Sequence, residues 1–165
     1  MNRLIASGVA ATTAVLAAGA FAAGSLSVSR EITVDRPPAT VWKLLGEFNA
    51  LDVWLPPVLN SAFTGSPTQA GAVRVLDLGN DASVTEQLLA YSSADRRYTY
   101  AFLKSPLPVK NYVATLELST APEGKTLIKW HSTFDAAGVP DEQARQAILG
   151  IYDAGLAKAA AIFRK

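Results

Sequence analysis

Over residues 27–35 the side chains alternate, Val28, Ile32 and Val34 on one side and Ser29, Glu31, Thr33 and Asp35 on the other, the period of a half-buried strand. Pro37-Pro38 ends it. Pro38 suits the first turn of a helix, where a missing N–H costs no hydrogen bond, and Val41, Trp42, Leu44 and Leu45 carry that helix to Gly46. A shorter helical or irregular piece, 49–54, stops at Pro56-Pro57. From there the period is two, which predicts strands over 59–64, 72–78, 83–91, 97–104, 111–120 and 125–135. Turn signals such as Gly65-Ser66-Pro67, Gly79-Asn80-Asp81 and Pro122-Glu123-Gly124 divide them, so neighbours in sequence pair as an antiparallel meander. After Gly138-Val139-Pro140 the period becomes 3.6 and predicts one long terminal helix, with Asp141-Glu142 at its positive end and Arg164-Lys165 at its negative end. Ala144, Ile148, Ile151, Gly155, Ala159 and Ile162 form its apolar stripe, with Tyr152, Leu156 and Phe163 beside it.

A strand slipped by one residue turns all its apolar side chains to the wrong face, so parity carries information. Even positions hold the apolar set: Leu76, Leu78, Val84, Leu88, Tyr98, Tyr100, Phe102, Tyr112, Leu116, Leu118, Ile128, Trp130 and Phe134. Odd positions are mostly polar, as in Thr85, Gln87, Arg97, Thr115, Glu117, Lys129 and His131. The sheet therefore has one wet face and one that needs a cover, and only the terminal helix is long enough to supply it. Arg74 and Glu86 are charged residues standing at even positions. A three-residue turn at Gly79-Asn80-Asp81 sets Leu78 opposite Ala82, Leu76 opposite Val84 and Arg74 opposite Glu86, so the pair points inward. In a solid core such a pair adds little net stability, and a cavity holding water or a polar ligand group suits it better. The alternative is a strand end where either charge reaches solvent.

Composition narrows the function classes. The 165 residues suffice for one domain with a real core, half of them are hydrophobic, and 15 Lys+Arg against 14 Asp+Glu form no basic patch, so nucleic acid is a poor partner. The absence of Cys excludes disulfides, thiol nucleophiles and thiolate metal sites, and a single His excludes a multi-histidine centre; neither a metal nor a cofactor is predicted. Residues 1–22 read as an export signal: Arg3 gives a short positive start, 4–22 are uncharged and Ala-rich, and Ala20-Phe21-Ala22 offers a cleavage site. Kept in place, the stretch is long enough to anchor in a bilayer, but Ser7, Gly8, Thr12, Thr13 and Gly19 dilute it and favour cleavage. Cleavage removes Arg3 and no acid, so the mature chain carries no formal net charge and no stable membrane span. The expected layout is an export signal over 1–22, a short linker over 23–27 and one domain over 28–165, in a periplasmic or secreted protein of undetermined oligomeric state.

Several segments go further than pattern. Val34-Asp35-Arg36-Pro37-Pro38-Ala39-Thr40-Val41-Trp42, Val73-Arg74, Val84-Thr85-Glu86-Gln87-Leu88, Asp95-Arg96-Arg97-Tyr98, Pro106-Leu107-Pro108-Val109-Lys110-Asn111-Tyr112 and Trp130 resemble the START-like or SRPBCC superfamily, nearest its polyketide cyclase/dehydrase-type branch. The resemblance covers 28–165. It implies an α+β helix-grip fold: a curved seven-stranded antiparallel sheet, two short helices after the first strand, and a long terminal helix over the apolar face enclosing a cavity.

In such a fold Gly155 and Ala159 leave space under the helix, although close packing against bulky sheet side chains accounts for them equally well. Arg74, Glu86, Tyr98, Tyr100, Tyr112, Trp130, Tyr152 and Gly155 are the candidate ligand-binding residues, an aromatic wall with few polar anchors. One reading is a binding or carrier protein for a small hydrophobic molecule. Another is a cyclase- or dehydratase-like enzyme in which Glu86 is the acid/base and Arg74 or a tyrosine steadies an oxyanion. A third is an interaction module built on Leu51-Asp52-Val53-Trp54-Leu55-Pro56-Pro57, where Trp54 serves as a contact, a lid or simple packing. Ser132 faces inward and His131 outward, so they form no nucleophile–base pair.

Overall fold

The computed structural model describes residues 21–164; residues 1–20 of the export leader predicted over 1–22, including Ala20 of its cleavage site, lie outside the described residues. Its elements are β1 (Leu26–Val34), α1 (Pro38–Leu45), α2 (Leu51–Trp54), β2 (Asn60–Thr64), β3 (Val73–Gly79), β4 (Ala82–Ser92), β5 (Arg97–Lys104), β6 (Val109–Thr120), β7 (Thr126–Ala136) and α3 (Asp141–Ile162). The strands form one curved antiparallel sheet in the order β1-β7-β6-β5-β4-β3-β2, and α3 lies along β1 and β7. This is the expected α+β helix-grip architecture. The fold reaches back beyond residue 28: Leu26 is buried, and Ser25 donates to Asp135 Oδ1 through its backbone N–H (2.8 Å) and its hydroxyl (2.9 Å).

Strand parity holds along most of the sheet, with Leu76, Val84, Leu88, Tyr98, Tyr100, Tyr112, Leu116, Ile128, Trp130 and Phe134 all buried on one face. It fails where the ladder bulges. Between Leu88 and Ala90, β4 carries one residue more than β5, which sets Tyr91 opposite Tyr98 and turns its ring inward against Trp42 (centroids 5.7 Å apart). The β3–β4 turn also differs from expectation. Gly79, not Leu78, pairs with Ala82, and the turn has two residues, Asn80 and Asp81, both with positive φ (52° and 60°), as a tight right-twisted hairpin requires. Leu78 becomes the extra residue of a bulge. One residue moved from turn to bulge leaves the later register unchanged, so Leu76 still opposes Val84 and Arg74 opposes Glu86.

The covering helix is rotated slightly from its predicted stripe. Ala144, Ile148, Tyr152, Gly155, Leu156 and Ala159 are buried, while Ile151 is half-buried and Ile162 is exposed. The helix stops at Ile162, which leaves Arg164 beyond its last turn.

Candidate functional site

Between the inner face of β3–β7, the segment around α2 and the first half of α3 lies a cavity of about 160 Å³. The sheet gives it Leu76, Leu78, Val84, Glu86, Tyr100, Phe102, Tyr112 and Trp130; Leu51, Leu55, Pro57 and Val58 close one side, Ile148, Ile151 and Tyr152 another, and Leu107 the rim. Leu78, Phe102, Leu107 and Ile151 are only half-buried, which places the mouth among them. Nearly all of the wall is apolar, and Glu86 is the one charged residue among those that line it.

Glu86 reaches this wall because β4 turns it inward opposite Arg74. Arg74 itself is fully buried behind the wall, not on it. Its Nε donates to Glu86 Oε2, its Nη1 donates to the Phe48 carbonyl, and its guanidinium carbon lies 4.1 Å from the centre of the Phe48 ring and 5.0 Å from that of Tyr100. These contacts answer the question of where an inward arginine goes: it is paired, bonded to backbone and covered by rings. Burial pushes the Glu86 carboxyl above the ordinary carboxylate range, and the charge and hydrogen bond of Arg74 pull against that shift.

The aromatic wall is tied together by its polar tips. Tyr112 and Tyr152 share a hydrogen bond of 2.6 Å, and the Trp130 indole N–H donates to the Tyr100 hydroxyl at 3.0 Å. Trp130 also stacks on Tyr152, with ring centres 4.2 Å apart. Burial drives the Tyr100, Tyr112 and Tyr152 phenols well above their ordinary range, so all of them stay protonated.

Of the eight predicted ligand-binding residues, Glu86, Tyr100, Tyr112, Trp130 and Tyr152 share the cavity wall, and Arg74, Tyr98 and Gly155 do not. Tyr98 packs edge-on against Phe48 (5.8 Å) and beside Trp42 (6.2 Å), away from the hollow. Gly155 does not open space: a Cβ there would meet Leu55 Cδ1 and Trp130 Cζ3 at 3.0 Å and Trp54 Cζ3 at 3.3 Å. The close-packing reading of this glycine is therefore the correct one, because the Trp54 ring, 1% exposed and 5.3 Å from Trp130, fills the place where a cavity was expected. Trp54 thereby packs beneath its segment, and its neighbours Leu51 and Leu55 contribute cavity wall.

Sequence reasoning did not single out Leu51, Leu55, Val58, Leu107, Ile148 or Ile151 as lining. The periodicity marks Ile148 and Ile151 as apolar but not which of them faces a hollow, and the loop residues have no period at all. His131 is on the wet face, and Asp135 accepts from Ser25 and from Asn111 Nδ2 (2.8 Å), which makes it a clasp between the residue just before β1 and β6. Among the described residues no group of His, Cys, Asp and Glu is arranged to hold a metal, and no helix is long and apolar enough to cross a membrane.

The comparisons agree with this geometry. The protein XoxI from Bacillus cereus superposes with a TM-score of 0.78 at 31% identity, over 83% of this chain and 94% of that one. A solution structure from Thermobifida fusca gives 0.74 at 30% identity over 83% and 92%, and a protein from Nitrosospira multiformis 0.74 at 28% over 85% and 97%. No curated protein matches the chain. The family described as polyketide cyclase/dehydrase and lipid transport matches residues 25–164, nearly the whole of the described chain, and the protein belongs to that family.

Proposed function

We propose that the protein binds and carries a small hydrophobic molecule in the cavity between sheet, α2 segment and α3. The observation that supports this most directly is the wall itself, almost entirely apolar, with one carboxylate and a few phenols converging on it, the usual make-up of a small-molecule site. The family's association with lipid transport and polyketide chemistry points the same way. Titration of the protein with toluene, followed by amide and methyl NMR, is expected to shift signals of Val84, Tyr112 and Ile148. Ile151→Trp, at the half-buried mouth, blocks entry and should weaken toluene binding about tenfold or more, since binding must then displace an indole. Unchanged affinity in a folded Ile151→Trp protein, or no toluene shifts in the parent, refutes the proposal.

Acid–base catalysis is a second reading, favoured by the raised Glu86 carboxyl on the wall of a cavity with phenolic donors around it. Once a substrate is in hand, Glu86→Gln separates the two: a general acid or base loses about a hundredfold or more in turnover with binding kept, whereas a carrier has no turnover to lose. The leader over 1–22 supports a site of action outside the cytoplasm, and amino-terminal sequencing of the protein from its native host should find Ala23 first. A retained Met1 in the membrane fraction overturns that localisation.

A further inference from the structure

Resting on the binding reading above, we infer that the ligand is a compact single-ring molecule bearing a hydroxyl donor, of the phenol class, held with its hydroxyl on Glu86 and not a chain lipid or a multi-ring polyketide. Two independent observations lead there.

The first is size. An apolar cavity of about 150 Å³ takes one benzene ring, and drug-sized ligands need about 300–1,000 Å³. The present hollow, about 160 Å³, falls at the one-ring end. Its walls resist enlargement from inside. Trp130 is pinned by stacking on Tyr152 and by its bond to Tyr100, Trp54 is wedged against Gly155, and Phe102 stacks on Tyr112 with ring centres 3.8 Å apart. A second fused ring or an extended acyl chain has to displace one of these or stand out through the mouth, where its apolar surface stays in water.

The second is the polarity of the anchors. Glu86 is an acceptor, and its bond to Arg74 engages Oε2 only, leaving the lone pairs of the second oxygen. Arg74 lies behind the wall, so no cation meets the ligand there, and an anionic ligand group would meet the Glu86 carboxylate across an apolar space without a counter-charge. A neutral O–H suits this arrangement: it donates to the carboxylate in a charge-assisted hydrogen bond, and its own oxygen can accept from a phenol of the wall. Tyr100, which accepts from Trp130 and stands beside the Tyr112 hydroxyl, carries the phenol on the wall with Glu86. A flat ring is also surrounded by the aromatic side chains of Tyr100, Phe102, Tyr112 and Trp130.

The test is a series of ligands that differ by one feature, measured on the parent protein by calorimetry, with NMR shifts at Tyr112 and Ile148 reporting the location. p-Cresol is expected to bind about tenfold or more tighter than toluene, and tighter than 4-methylanisole by a similar factor, because the ether keeps the oxygen and loses the donor. 4-Methylbenzoate and decanoate are expected to bind more weakly than p-cresol. Glu86→Gln, if it folds, should remove most of the preference for p-cresol over 4-methylanisole; the ligand series decides the matter without it. Equal binding of p-cresol and 4-methylanisole overturns the donor inference, and decanoate binding more tightly than every ring compound overturns the size inference, with cavity binding intact in both cases. Failure of every ligand, toluene included, overturns the binding reading itself.

Discussion

Arg74 and Glu86 face each other across one strand pair, yet they belong to different halves of the interior. Below α1 and the turn after it, Phe48, Tyr98, Trp42 and Tyr91 meet ring to ring, and the rings of Phe48 and Tyr100 cover the buried Arg74 guanidinium. Below α2 and α3 the same sheet face meets Leu51, Leu55, Ile148 and Ile151, which stop short of one another and leave the cavity that Glu86 lines. Both halves are aromatic and both have one charge. The difference teaches that strand parity decides which face a side chain joins, whereas the reach of the covering side chains decides whether that face is solid or hollow.

The largest way to break the comparison is Phe48→Ala, in the solid half. Phe48 is fully buried, its ring covers Arg74, and its loss opens space that rigid neighbours cannot fill, so chemical denaturation should show a loss of about 4–5 kcal/mol. Arg74→Met comes next, at about 3–4 kcal/mol, because it strands the Glu86 carboxylate in an apolar wall. Adding Glu86→Gln to it should restore at least about 1 kcal/mol, and strictly additive effects would mean that the two groups do not interact.

At the border between the halves, Gly155→Ala is expected to cost about 1 kcal/mol net. The helix gains from alanine, but the new methyl presses on Trp130, which its stacking and hydrogen bond hold in place. In the hollow half the same kind of enlargement should be nearly free. Val84→Ile adds a methylene toward open space and should change stability by less than about 1 kcal/mol; a larger loss would show that the cavity collapses in solution.

The smallest expected effect lies outside both halves. Hydrogen bonds from the Ser25 backbone, the Asn111 amide and the Ser25 hydroxyl hold the exposed Asp135 carboxyl below its ordinary value. A carboxyl depressed in the folded state contributes stability that is present above its unfolded pKa of about 3.9 and is lost as pH falls through the lower folded value. Asp135→Asn should therefore flatten the acid limb of a stability–pH profile below about pH 4 and leave stability differences between pH 6 and 8 untouched.

Much of this molecule is legible without coordinates. The alternation of Val28, Ile32 and Val34, the even-numbered aromatics of β5–β7 and the 3.6-residue period after Pro140 follow from local geometry, because side-chain direction depends only on the few residues before and after. The facing of Arg74 and Glu86 is equally local, since a hairpin's register depends on its turn and bulge together and here the two compensate. Tyr91 escaped that logic because a bulge resets parity without a mark in the hydrophobic pattern. The cavity escaped it for a stronger reason. Whether Gly155 faces a hollow or a tryptophan, and whether Arg74 stands on the cavity wall or behind it, depends on where Trp54 and Phe48 arrive from a segment far away along the chain. Space in a protein is what remains when side chains from distant elements have taken their places, so its position is a property of the assembled interior and of no single stretch of sequence.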